Sequence, residues 1–174
     1  MHPRAGLKPR MLAFAIDLLL FALYLAAFFA VNMAGLSDVL ERIYPTIFSS
    51  PLAFDALAFS TVILPLILYF SLMESSKHQG TVGKRPLKIR VVDSKGQRIS
   101  FGRSLLRSLI KFLPWQLAHT AVIRITLAGP STGLMLLSIG AQLLVLLFVI
   151  HIAFNSQHQS VYDRFAGTFV NHAA

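Results

Sequence analysis

The sequence contains no cysteine, so no disulfide framework and no thiolate metal site can be built from it, and redox usage says nothing of its compartment. Acidic residues are scarce too: seven Asp and Glu stand against sixteen Lys and Arg, a formal net charge of +9. Charged residues make up 13% of the 174 positions, about half the share usual in soluble domains, while 55% are hydrophobic. These proportions describe an integral membrane protein of one small domain. None of the six histidines forms a pair at zinc spacing with a glutamate, so no metal site and no cofactor is expected. In a soluble chain the basic excess would suggest nucleic acid. Here the basic residues flank apolar runs, so the expected partners are the lipid bilayer and its anionic headgroups, with no nucleic acid.

The run that organises the chain starts at Arg10 and continues, with Asp17 inside it, past Tyr24 to Val31. Residues 11–31 make about 30 Å of helix, the thickness of a bilayer's hydrocarbon. A cleavable signal peptide would have a shorter apolar core and no aspartate, so a retained span is expected. Within it a charged Asp17 costs roughly 2.5–3.5 kcal/mol on insertion scales and needs compensation. Arg10, Asp17 and Tyr24 are seven residues apart and share one helix face, which should look at protein.

Leu36, Val39, Leu40 and Ile43 have the spacing of a short amphipathic helix at the outer interface. A second span covers residues 52–72, opened by Pro51 and kinked by Pro65, which frees a backbone carbonyl near its middle. Asp55 lies near its outer end, where a first-turn carboxylate suits the helix dipole. Residues 74–100 are the clearly soluble piece, with Lys77, Lys84, Arg85, Lys88, Arg90, Lys95 and Arg98 against Glu74 and Asp93. This basic loop belongs in the cytoplasm with the N-terminus. Apolar and basic residues alternate from Leu87, turn chemistry follows at Asp93, and alternation resumes to Phe101, which predicts a β-hairpin over about 86–101.

Ser100 is an N-cap for the next helix, on which Arg103, Arg107 and Lys111 recur every four residues. Either this helix lies flat on headgroups, leaving three spans, or it opens a third span over 105–127 that carries His119 and Arg124. Residues 134–154 are a further span. The uncharged loop from Ala128 to Gly133 suits an outer connection and favours four spans, which returns the tail, 155–174, to the cytoplasm. There its strand-like end, Thr168 to Val170, could complete the hairpin. The expected fold is therefore an all-α integral membrane bundle of four spans with a small cytoplasmic β-hairpin, multi-pass in the cell membrane.

Three ordered pieces carry a resemblance. They are Arg10 with Asp17; Gly80-Thr81-Val82-Gly83-Lys84 followed by Asp93 and by Leu106-Arg107; and Asp163-Arg164-Phe165-Ala166-Gly167-Thr168. Together they resemble the RDD family of bacterial membrane proteins, named for one arginine and two aspartates, over nearly all of residues 1–174. The resemblance implies that Arg10 and Asp17 are the first two motif residues and Asp163 the third. Phe165 stands where the family more often has leucine. It also implies an inner-membrane location and, by analogy, transport of a small ion or solute.

Read as chemistry, Asp17 could bind a proton or cation along a path, or pair with a cation of another helix and lock the bundle. A cytoplasmic cluster of Arg10, Asp17, Arg107 and Asp163 is expected. The glycines at 80 and 83 are too close for a phosphate-binding loop, and Arg85 stands where Ser or Thr is needed, so the segment reads as a tight turn. His119 and His151 read as hydrogen-bonded helix contacts. No spacing places Ser, His and Asp as a catalytic triad, so no enzyme and no catalytic residue is expected. Two functions remain: a transporter of a small cation or proton, acting as a homo-oligomer, or a non-catalytic component that binds lipid or a partner membrane protein.

Overall fold

Helix α1 (Leu7–Gly35) is apolar nearly all round, and its outward residues, Leu19, Leu23 and Val31 among them, are largely exposed. That is the signature of a helix whose solvent is lipid. The inward exception is a stripe of Arg10, Ala13 and Asp17, all buried. The computed structural model describes residues 3–35, 42, 45 and 50–173. The amphipathic helix that the sequence suggests around Leu36, Val39, Leu40 and Ile43 lies outside the described residues.

The second apolar run is one rod in three parts: α2 (Pro51–Ala58), a π-helical turn (Phe59–Ile63) and α3 (Leu64–Ser75). Ser50 caps its start, accepting from the Ala53 amide, with Pro51 in the first turn. Pro65 explains the middle. It has no amide hydrogen to give the carbonyl four residues back, that of Thr61, and the helix widens just before it. The freed Thr61 carbonyl accepts instead from the Tyr24 hydroxyl of α1, at 3.1 Å. The expected kink thus becomes a docking point for the third residue of the α1 stripe.

Helix α4 (Phe101–Ala128) is capped by Ser100, and α5 (Thr132–Phe154) by Ser131. Among the described residues, three helical segments are long and apolar enough to cross a membrane: Leu7–Val31, Pro51–Ser75 and Thr132–Phe154. Helix α4 is not among them, although its 28 residues reach about 42 Å. Lys111, Gln116, His119 and Arg124 dilute its apolar character. Its basic fan is split: Arg107 is buried inside the bundle, whereas Arg103 is exposed.

The β unit differs from the expected hairpin. Strand β1 (Ile89–Val92) forms, and the Asp93 carboxylate closes the turn by accepting from the Lys95 and Gln97 amides. The second arm makes a single bridge, Val92 to Arg98. The chain then turns Ile99 into the core and Ser100 to its capping duty, so the arm is too short to pair. Strand β1 instead pairs antiparallel with β2 (Phe169–His172) from the tail, in register Ile89 to His172 and Val92 to Phe169. On the other edge of β2 lies the N-terminal segment: the Ala5 amide donates to the Val170 carbonyl and the His172 amide to that of Pro3. Ala5, Ala13, Ile89, Val91, Ile99 and Val170 form the small core beneath. A second core, Ile63, Leu66, Ile67, Phe70 and Phe112, joins α3 to α4. A two-stranded ribbon is marginal alone, and these added contacts make it persist.

Candidate functional site: a buried charge network

The network starts on α6 (Val161–Ala166), a short helix held by a reciprocal cap in which the Asp163 carboxylate accepts from the Ser160 amide. Gly167 ends it in the left-handed conformation that glycine adopts without strain. The two ends fix Asp163 pointing into the bundle, fully buried. Its Oδ2 accepts from Arg10 Nη1 at 2.6 Å and its Oδ1 from Arg107 Nε at 2.9 Å. Burial alone would push its pKa up. Arg107 and Arg10 outweigh that and hold it down at about 2.

Arg107 uses its other face on Glu74, which Lys84 Nζ also holds, at 2.8 Å. Lys84 Nζ reaches Thr81 Oγ1 at 3.5 Å, and that hydroxyl donates to Asp17 Oδ2 at 2.6 Å. Asp17 Oδ1 accepts from the Tyr69 hydroxyl and the Gly83 amide, both at 2.8 Å. A continuous polar chain therefore runs from Arg10 through Asp163, Arg107, Glu74, Lys84 and Thr81 to Asp17. It ties α1, α3, the 3₁₀ turn Val82–Lys84, α4 and α6 together. Removing each charge from water costs several kcal/mol, and pairing on this scale is what makes the burial tolerable.

The structure brings Arg10, Arg107 and Asp163 together. Asp17 departs from the expected arrangement: among the described residues its partners are two hydroxyls and a backbone amide, and no cation pairs with it directly. The reason is Gly83, whose missing side chain lets the loop lie on α1; a Cβ there would sit 2.1 Å from the Ala13 carbonyl oxygen. Of the loop motif, Thr81, Gly83 and Lys84 belong to the site, and Gly80 packs over the Lys84 side chain. Asp93 organises its turn elsewhere. In the tail, Thr168 donates to Asp163, Gly167 caps, and Arg164 is exposed and takes no part.

Sequence reasoning missed Glu74, reading it as a loop charge. The signal was present, because Ile63, Leu66, Ile67, Phe70 and Glu74 continue one helical face, and all are buried. Lys111, the last residue of the basic fan on α4, has its Nζ 3.6 Å from the centre of the Phe70 ring and 4.6 Å from that of Phe14. At the opposite end of the bundle Asp55 is paired with Arg124, 3.1 Å from its Nη2. His119 lines a cavity with Phe54 and Val62, and His151 donates through Nδ1 to the Gln159 carbonyl at 2.5 Å. Among the described residues no three His, Asp or Glu are placed to hold a metal ion.

The model of the RDD family matches residues 4–167, a stretch that contains every residue of this network. The chain belongs to the RDD family. It is similar to the uncharacterized protein YxaI of Bacillus subtilis strain 168, 30% identical over 140 residues, which cover 77% of this chain and 92% of the relative. No solved structure matches it. In this RDD protein Arg10 and Asp163 touch. Asp17 connects to them through Thr81, Lys84, Glu74 and Arg107.

Proposed function

We propose that this RDD protein is a four-span membrane protein with both termini in the cytoplasm, working as a non-catalytic component that binds anionic lipid. Parity supports the span number. The N-terminal segment, β1 and β2 hydrogen-bond to one another, which favours placing them on one side. With α5 crossing between β1 and β2, that placement supports a crossing by α4 as well. The Asp55–Arg124 pair supports that crossing by neutralising the far end of α4. The basic residues of the loop support a cytoplasmic location for this side.

One observation carries the binding reading: each oxygen of Asp17, Glu74 and Asp163 is engaged by a donor of the same chain. Spare capacity in the network is cationic, since Arg10 Nη2 is buried without a partner. A site with saturated carboxylates and a free guanidinium nitrogen suits an anion.

A second reading, carriage of a small cation or proton, is supported by a cavity of about 270 Å³ that reaches Asp17 between Phe21, Tyr24, Pro65 and Tyr69. It lies beside the π-helical turn, a feature frequent at functional sites. Reconstitution into liposomes separates the two. The binding reading expects no cation- or proton-driven flux, with anionic lipid retained through purification. Flux that disappears in Asp17→Asn would establish carriage and overturn it.

A further inference from the structure

Between α1, α4, α5 and α6 lies a cavity of about 120 Å³ into which Arg10, Lys84, Arg107 and Lys111 all face. Three of these cations are paired with Glu74 or Asp163. Lys111 is not: among the described residues its ammonium has no ion pair or hydrogen bond, and it rests on the rings of Phe70, Phe14 and Phe112. Such a box of rings holds a cation by its faces, yet leaves the N–H donors without acceptors. Arg10 lines the same cavity as a second cation, its side chain 7% exposed. An ammonium without an acceptor, with three more cations around the same cavity, calls for an anion.

The remaining wall excludes a small hydrophilic anion as the natural occupant. It is apolar and aromatic, made by Trp115, Val145, Phe148, Val149 and Ile152. Its rim residues are exposed to the lipid side, Met11 by 47%, Val145 by 39% and Trp115 by 37%. Helices α1 and α5 barely touch, which leaves a seam between them beside these rim residues. Arg10 is in the first turn of α1 and Ile152 in the last of α5, which puts the opening at headgroup depth.

We infer that this cavity is a lateral binding site for an anionic phospholipid, its phosphate on Arg10 and Lys111 and the start of an acyl chain against the α5 wall. The inference rests on the lipid-binding reading above and gives it a location and a ligand class. The charge is complementary, the apolar wall matches an acyl chain, and the seam provides an entry from the membrane. About 120 Å³ holds a phosphate group with a water or two, while the rest of the lipid stays in the bilayer.

Trp115 is the single tryptophan of the chain and lines the cavity, so its fluorescence reports occupancy directly. The protein is reconstituted in vesicles that contain either brominated-chain phosphatidylglycerol or, at equal mole fraction, brominated-chain phosphatidylcholine. Bromine quenches the indole on contact. Stronger quenching by the anionic lipid is expected, with the preference reduced about tenfold in Lys111→Met, which loses the donor and keeps the apolar stem. Val149→Phe, which fills the cavity without touching a charge, should remove the preference too. Thermal transitions check that both variants are folded. If Lys111→Met does not fold, the Val149→Phe result decides.

Equal quenching by both lipids, or an unchanged preference in either folded variant, overturns the site. Millimolar inorganic phosphate that abolishes the preference makes this a free-phosphate site and overturns the lipid assignment. Anionic lipid that co-purifies with a protein showing no preference at Trp115 leaves the broader reading intact and sinks only this location.

Discussion

Arg10 and Asp163 are 153 residues apart in the chain and 2.6 Å apart in the folded protein. The contact closes the molecule, because it joins the first turn of α1 to a helix formed after the last span. The N-terminal segment lies on β2 in the same place, so backbone pairing and the ion pair fasten the two ends of the chain together.

Asp163→Asn leaves Arg10 and half of Arg107 facing a neutral group. Breaking a buried pair from one side costs on the order of 3–5 kcal/mol. Unfolding in detergent should show that loss. The cycle of Arg10→Ala, Asp163→Ala and the double variant should be non-additive by more than about 1 kcal/mol. Strict additivity would remove the energetic meaning of the contact.

Gly83→Ala is expected to be among the most damaging small changes in this protein. Its Cβ would lie 2.1 Å from a backbone oxygen of α1 and 2.9 Å from Asp17 Cγ, so the loop must lift and surrender the amide bond to Asp17. Gly140→Ala is the control, since a Cβ there meets nothing within 4 Å. It should be neutral or stabilising by up to ~1 kcal/mol. Melting temperatures of the two variants, compared side by side, test the close approach.

At Asp17, shape and charge can be separated. Asp17→Asn keeps an acceptor for Tyr69 and Gly83, and Thr81 can rotate to accept from the new amide, so a loss of about 1 kcal/mol is expected. Asp17→Leu strands three donors and should cost several kcal/mol by the same reasoning. Two variants with equal stability would mean that the carboxylate's hydrogen bonds are not what holds the loop.

Acid should loosen the cytoplasmic end. The Asp163 carboxyl titrates at about 2 in the folded protein, below its ordinary 3.8. Its ionised pairing therefore stabilises fully above about pH 4 and is lost as pH falls toward 2, on the order of 2 kcal/mol. Stability measured across that window should fall more steeply in the parent than in Asp163→Asn. Parallel curves would show that this group is not responsible.

The four-span arrangement predicts that a reporter fused after Ala174 is active in the cytoplasm, as is one inserted at the Lys95–Gly96 turn. Reporters that disagree between these two positions would contradict the pairing of β1 with β2.

Much of the scaffold was legible because its causes are local. Apolar runs of membrane length give helices whatever surrounds them. Ser100 caps where the sequence places it, and Pro65 frees a carbonyl by its own covalent structure. The stripe of Arg10, Asp17 and Tyr24 follows from helical period alone. The meeting of Arg10, Arg107 and Asp163 was legible too, from helical stripes and span parity; the partners of Asp17, Glu74 and Lys84 were not, because a partner depends on how helices rotate against one another and on the path of a loop. Asp17 lay on the expected face, yet its donors came from Thr81 and Gly83, brought there by a glycine that lets backbone meet backbone.

By itself, then, the sequence determined the apolar helices, their caps and kink, and which faces carry charge, since each depends on residues within a few positions of one another. The tertiary structure alone decided that Glu74 and Lys84 complete the network, that Lys111 turns inward onto aromatic rings, and that the tail strand, expected to complete the hairpin, takes the place of its second arm beside β1. Those pairings join residues from ten to more than eighty positions apart, chosen by the need to satisfy every buried charge and backbone group at once.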